Sequence, residues 1–196
     1  GVDYPRDPGE IRAEETLSWI AEHAQEAIAI GEVGLDGKWV PEPFWQLQEQ
    51  RFRQLVQIAV DADRPLIIHS RKREALCFEI CREMKASRVQ FHCYSSKLKL
   101  AKRIADAGYY LSVPANARRA DQFGQLLRML PRERLLLETD APYLSPDRER
   151  LPQNEPAAVV ETATFAAELW GLTLDETATI FADNYRSLFR DEPFGE

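Results

Sequence analysis

The chain has 196 residues, 44% of them hydrophobic and 29% charged, with a net charge of −7. That composition belongs to a folded globular domain large enough for one core, and it excludes a generally basic nucleic-acid binder. No apolar run approaches the roughly 20 residues of a membrane span, and three cysteines, Cys77, Cys81 and Cys93, are too few and too irregular for a disulfide framework or a four-cysteine zinc site, so a reducing, cytoplasmic setting is expected.

The pattern along the chain alternates helix with strand. Leu17, Ile20, Ala21 and Ala24 at helical spacing predict a helix over 14–25, followed by a short strand at 27–30. Phe52, Leu55, Val56, Ala59 and Val60 share one face of a long helix over 44–63, and a strand at 66–68 follows. Next come a helix over 74–85 with Leu76, Ile80 and Met84, a strand at 89–91, and a helix over 98–107 stopped by Gly108. A strand at 109–113, a helix over 120–130 ended by Pro131 and a strand at 134–137 complete the alternation. Two closing helices are marked by Asn154-Glu155-Pro156 with Gly171, and by the capping box Thr173-Leu174-Asp175-Glu176. Only 142–156, with four prolines, is a long irregular segment.

Strands alternating with helices call for a parallel sheet. An open doubly wound sheet carries a Gly-rich phosphate turn after its first strand; none follows residues 27–30, so a (β/α) barrel of the TIM type is favoured. In that architecture, residues at the C-terminal strand ends face one another. Glu32, His69, His92 and Asp140 each follow one of the predicted strands. Imidazole nitrogen and carboxylate oxygen suit divalent cations, which lower the pKa of bound water from about 15.7 to near 7. Glu32 is suited to bridge two cations, and Asp140 to orient the water or take its proton. Singly, His69 or His92 reads more readily as a hydrogen-bonded core histidine, and Asp140 can be a turn cap; together the four point to a metal-dependent hydrolase.

Charge is unevenly placed. Between His69 and Arg119 there are 12 Lys or Arg against 4 Asp or Glu, a local +8, while the remainder carries −15. Chance clustering on solvated helices and a basic rim for a polyanion are both open readings; Arg71, beside a candidate ligand, is the best-placed member of such a rim. The tryptophans, Trp19, Trp39, Trp45 and Trp170, lack the spacing of a base-stacking platform and are expected to pack inside.

The peptides Gly31-Glu32-Val33-Gly34-Leu35-Asp36, His69-Ser70-Arg71, His92-Cys93-Tyr94-Ser95, residues 136–144 with Glu138-Thr139-Asp140-Ala141-Pro142, Asn154-Glu155-Pro156 and Asn184-Tyr185-Arg186-Ser187-Leu188-Phe189 together resemble the TatD family of metal-dependent deoxyribonucleases, in order and spacing, from Gly1 to Phe189. The resemblance implies a TIM-type barrel of the amidohydrolase-like group with divalent metal (Mg, Mn or Zn) at the strand ends. It implies 3′-to-5′ exonuclease action on DNA, extending to RNA. By position, Glu32 bridges two metals, His69 and His92 ligate one, and Asp140 ligates the other and serves as base. Other amidohydrolase-type chemistry and a non-catalytic nucleic-acid or partner-binding role are the alternatives.

Two features depart from the family pattern. No His-x-His, which supplies two ligands to the first metal, occurs in the sequence. Where relatives carry Gly-x-His-Pro-His, this chain has Asp3-Tyr4-Pro5-Arg6, and Arg6 is either a phosphate contact or a solvated loop residue. The expectation is therefore one domain over 1–196 that lacks the first two strand–helix units, leaving about six of the eight a closed barrel needs. Such a chain is expected to bind one cation, against two in the intact protein, to hydrolyse DNA poorly by itself, and to self-associate through open sheet edges.

Overall fold

The computed structural model describes residues 13–190. Of these, residues 13–90 belong to one compact unit and residues 91–190 to another.

The first unit holds α1 (Ala13–His23), β1 (Ile30–Asp36), α2 (Trp45–Asp61), β2 (Leu66–Arg71) and α3 (Glu74–Glu83). β1 and β2 are parallel, with Gly34 opposite His69 and Asp36 opposite Arg71. Two glycines permit this close pairing. A Cβ on Gly31 would lie 2.5 Å from the Ile67 Cβ, and one on Gly34, whose φ is +153°, would lie 1.9 Å from the His69 carbonyl oxygen. α2 lays Phe52, Val56 and Ala59 against the sheet, and α3 adds Cys77, Ile80 and Cys81, all at most 1% exposed. Leu35, Leu66 and Ile68 supply the strand side of this core.

β1 departs from expectation. A strand at 27–30 was predicted, but the strand begins at Ile30 and runs through Glu32 to Asp36. Glu32 and His69 therefore lie within their strands rather than just beyond them. The polar residues interrupt the apolar run in sequence; the ladder shifts register at Glu32, from Gly31 opposite Ile67 to Val33 opposite Ile68, and then resumes, with Gly31 and Gly34 letting the chains approach.

β3 (Val89–Phe91) passes from the first unit into the second. The second unit continues with α4 (Leu98–Asp106), β4 (Tyr110–Val113), α5 (Asp121–Met129), β5 (Leu135–Leu137), α6 (Val159–Trp170) and α7 (Leu174–Phe189). β4 and β5 are parallel, Ser112 opposite Leu136. β4 is buried along its whole length, as a strand covered on both faces should be. Gly171, at φ +65°, ends α6 in the left-handed conformation. The predicted capping box opens α7: the Thr173 hydroxyl accepts from the Glu176 N–H, and the Glu176 carboxylate accepts from the Thr173 N–H.

Five strands are present among the described residues, against about six units expected for a chain short of a closed eight-fold barrel. No helix among the described residues is long and apolar enough to cross a membrane.

Candidate metal centre

The candidate ligands fall into two clusters, one in each unit, and each cluster is built around a histidine flanked by two carboxylates.

In the first unit, the His69 Nε2 stands 3.0 Å from Asp36 Oδ2, and its Nδ1 lies 3.5 Å from Glu32 Oε2. Asp36 closes β1 and is nearly buried, its side chain 10% exposed, whereas the Glu32 side chain is 45% exposed. The other Asp36 oxygen accepts two backbone N–H groups, from Lys38 and Trp39, each at 2.7 Å. Burial alone would raise the Asp36 carboxyl; the His69 ring and the Trp39 and Lys38 N–H groups outweigh it and hold the group below its usual 3.8. The His69 imidazole is pushed above its usual 6.5, first by Glu32 and then by Asp36, against the opposing effects of burial and of Arg71.

In the second unit, His92 follows β3 directly. Its Nδ1 lies 2.8 Å from Glu138 Oε2, and its Nε2 lies 3.5 Å from Asp140 Oδ1. Again the nearer carboxylate is nearly buried, with Glu138 at 10%, and the farther is more open, with Asp140 at 29%. Glu138 Oε2 is also the acceptor for the Ser112 hydroxyl and the Cys93 N–H. Glu138 Oε1 is buried and has no hydrogen-bond partner among the described residues. Asp140 takes φ +57°, an uncommon conformation for a residue with a Cβ. The loop that holds it is pinned by Asn154, whose Nδ2 donates to the carbonyls of Thr139 (2.7 Å) and Tyr143 (2.6 Å).

Each ring thus presents the same arrangement. An ionised carboxylate only accepts, so the nitrogen facing the buried Asp36 or Glu138 carries the proton. This is how a metal-ligating histidine is commonly oriented, with its second N–H on a carboxylate. In the neutral ring the other nitrogen bears a lone pair, and it faces a second carboxylate oxygen at 3.5 Å. Two electron-rich atoms at that separation can share a proton or a cation. Two donors 2.0–2.1 Å from a tetrahedral zinc stand about 3.3 Å apart, so both pairs are spaced as neighbouring ligands. The partnerless Glu138 Oε1 adds a buried electron pair that a nearby cation would satisfy. The donor set fits a divalent cation.

Among the described residues, no three His, Cys, Asp or Glu side chains form a ready-made cation cage. Within each cluster the reason is geometric: the two carboxylates sit on opposite nitrogens of one ring. Of the sequence candidates, the structure pairs Glu32 with His69 and His92 with Asp140. Arg71, half-buried at the end of β2, lies two residues beyond His69. Arg6 lies outside the described residues. The orienting carboxylates Asp36 and Glu138, the Ser112 hydroxyl and the pinning Asn154 were not assigned roles from sequence, although Asp36, Glu138 and Asn154 stand in the motif peptides. Two tryptophans need correction: Trp19 and Trp39 are 59% and 74% exposed rather than packed inside. Trp19 lies within α1, its ring stacked on that of His23 with centroids 4.4 Å apart, and Trp39 lies in the turn after β1.

The family model described as TatD related DNase matches residues 4–190. The uncharacterized metal-dependent hydrolase YabD of Bacillus subtilis is 34% identical over 90% of this chain and 71% of its own length. The uncharacterized metal-dependent hydrolase YcfH of Escherichia coli K12 is 36% identical over 83% of this chain and 62% of its own length. The chain therefore spans between three-fifths and three-quarters of the curated relatives it matches. Among solved structures, YjjV, a TatD homologue from Escherichia coli, superposes with a TM-score of 0.78 at 26% identity, covering 91% of this chain and 70% of that one. These likenesses carry the fold class: parallel strand–helix units of the TIM-barrel type.

Proposed function

The chain belongs to the TatD family of metal-dependent hydrolases, and from that premise we propose that the protein carrying it hydrolyses the phosphodiester bonds of DNA, and of RNA by the same backbone chemistry. The observation that carries the reading is the pairing of each imidazole lone pair with a second carboxylate oxygen at 3.5 Å, for which a shared divalent cation is the natural occupant. Glu32 with His69, and His92 with Asp140, would hold such cations; when bound, a divalent ion supplies Lewis acidity and lowers the pKa of water. The remaining work belongs to this chain. Asp36 and Glu138 fix the tautomer and tilt of the two rings. Asp140, the more open carboxylate of its cluster, accepts the proton of the attacking water. Arg71 and, where present in the fold, Arg6 neutralise substrate phosphate, supported by Lys97, Lys99, Lys102 and Arg103, which lie exposed on or beside α4.

Manganese or zinc titrated calorimetrically into the protein should bind, and cleavage of a labelled oligonucleotide should require the metal. Asp140→Asn should lower that cleavage by about 10²–10⁴-fold with the fold intact by circular dichroism. Unchanged cleavage in this variant, or cleavage in chelator, would overturn the assignment.

A further inference from the structure

The two most exposed large apolar side chains among the described residues are Trp39, at 74%, and Tyr143, at 72%. Each follows, by three residues, an aspartate of the cluster in its own unit. Trp39 lies three residues after Asp36, and its N–H is held by the Asp36 carboxylate at 2.7 Å. Tyr143 lies three residues after Asp140, and its N–H donates to the Asp140 carbonyl at 2.8 Å, while its own carbonyl is fixed by the buried Asn154. Each ring is therefore mounted on a backbone segment tied to an aspartate of its cluster, yet the ring itself is left in water. An exposed tryptophan or tyrosine on a firmly held loop has little to contribute to its own unit's stability. The Lys38 ammonium lies over one face of the Trp39 ring, 4.7 Å from its centroid, so a cation and an aromatic ring are presented together. That pairing matches a nucleotide, with its phosphate for the cation and its base for the ring.

We propose that Trp39 and Tyr143 are nucleobase-stacking residues, each beside the candidate metal ligands of its own unit. The assignment rests on the nucleic-acid reading above. It adds that the protein contacts bases as well as the phosphate backbone, through rings held at a fixed offset from Asp36 and Asp140. Stacking tolerates any base, because every base has a flat π face.

The test measures binding by fluorescence anisotropy, in chelator and low salt, with a labelled thymidine oligonucleotide and an abasic oligonucleotide of equal length and charge. The wild-type chain should bind the thymidine strand about tenfold more tightly. Trp39→Ala with Tyr143→Ala should erase that difference, and Trp39→Phe with Tyr143→Phe should largely keep it. Equal binding of the two strands by wild type, an undiminished preference in the alanine variant, or no binding to either strand would overturn the proposal. Cleavage is scored separately on gels with manganese. Base-dependent binding without cleavage sustains stacking and refutes hydrolysis; equal cleavage and equal binding of both strands refutes stacking and sustains hydrolysis.

Discussion

Glu138 Oε2 receives three donors at once: the His92 ring at 2.8 Å, the Cys93 N–H at 3.1 Å and the Ser112 hydroxyl. An oxygen that accepts from the His92 ring places the ring proton on Nδ1 and leaves Nε2 as a donor of electrons. Glu138→Gln keeps the shape but turns an anionic acceptor into an amide. Its expected consequence is a 10–100-fold loss of zinc or manganese affinity by calorimetry, with little change in fold. Unaltered affinity would mean that Glu138 does not orient the ring.

His69 should titrate above 6.5 in the metal-free protein, because protonation is favoured by Glu32 and by Asp36. The sign follows directly. A raised folded-state pKa contributes stability that is fully present below the unfolded value and fades as pH rises through the folded one. Cation binding should run the opposite way, strengthening as pH rises and the ring loses its proton. NMR titration of the imidazole in chelator checks the first point, and Asp36→Asn should move its midpoint downward.

Gly34→Ala places a methyl group 1.9 Å from a backbone carbonyl oxygen, which cannot swing aside as a flexible side chain could. The strand pair must separate locally, and the expected cost is about 3 kcal/mol in urea unfolding. A neutral result would mean that β1 and β2 are less closely paired than the register indicates.

Two buried asparagines separate stability from binding. Asn184 on α7 donates to the carbonyls of Arg132 and Leu135, each at 2.7 Å, and so holds the start of β5. Asn154 holds the loop of Asp140. Either change to Ala should cost about 1–3 kcal/mol, since buried carbonyls lose their partners. Only Asn154→Ala should also weaken metal binding, a contrast that calorimetry on the two variants would read.

Much of this arrangement was legible in the residues. The apolar runs before His92 and Glu138 marked β3 and β5, and Gly171 and the Thr173 box marked helix ends. β1 was misplaced because Glu32 and Asp36 break the apolar run that signals a strand, and the hydrogen-bonded ladder that overrides the break depends on a neighbour distant in sequence. The orienting role of Glu138 was hidden for a similar reason. It shares a tripeptide with Asp140, and only the fold reveals that the two carboxylates approach opposite nitrogens of one ring. Ser112 carried no signal, being a single hydroxyl in an otherwise apolar strand. The exposure of Trp39 could not be read from spacing, since a tryptophan after a turn fits a core or a surface equally well.

One carboxylate, that of Asp36, grips both the imidazole of His69 and the peptide groups of residues 38 and 39. The length of that bend is therefore set by the reach of a single short side chain. Inserting even one residue there would loosen the ring and the bend together, whereas a change of side chain at position 39 leaves both grips in place.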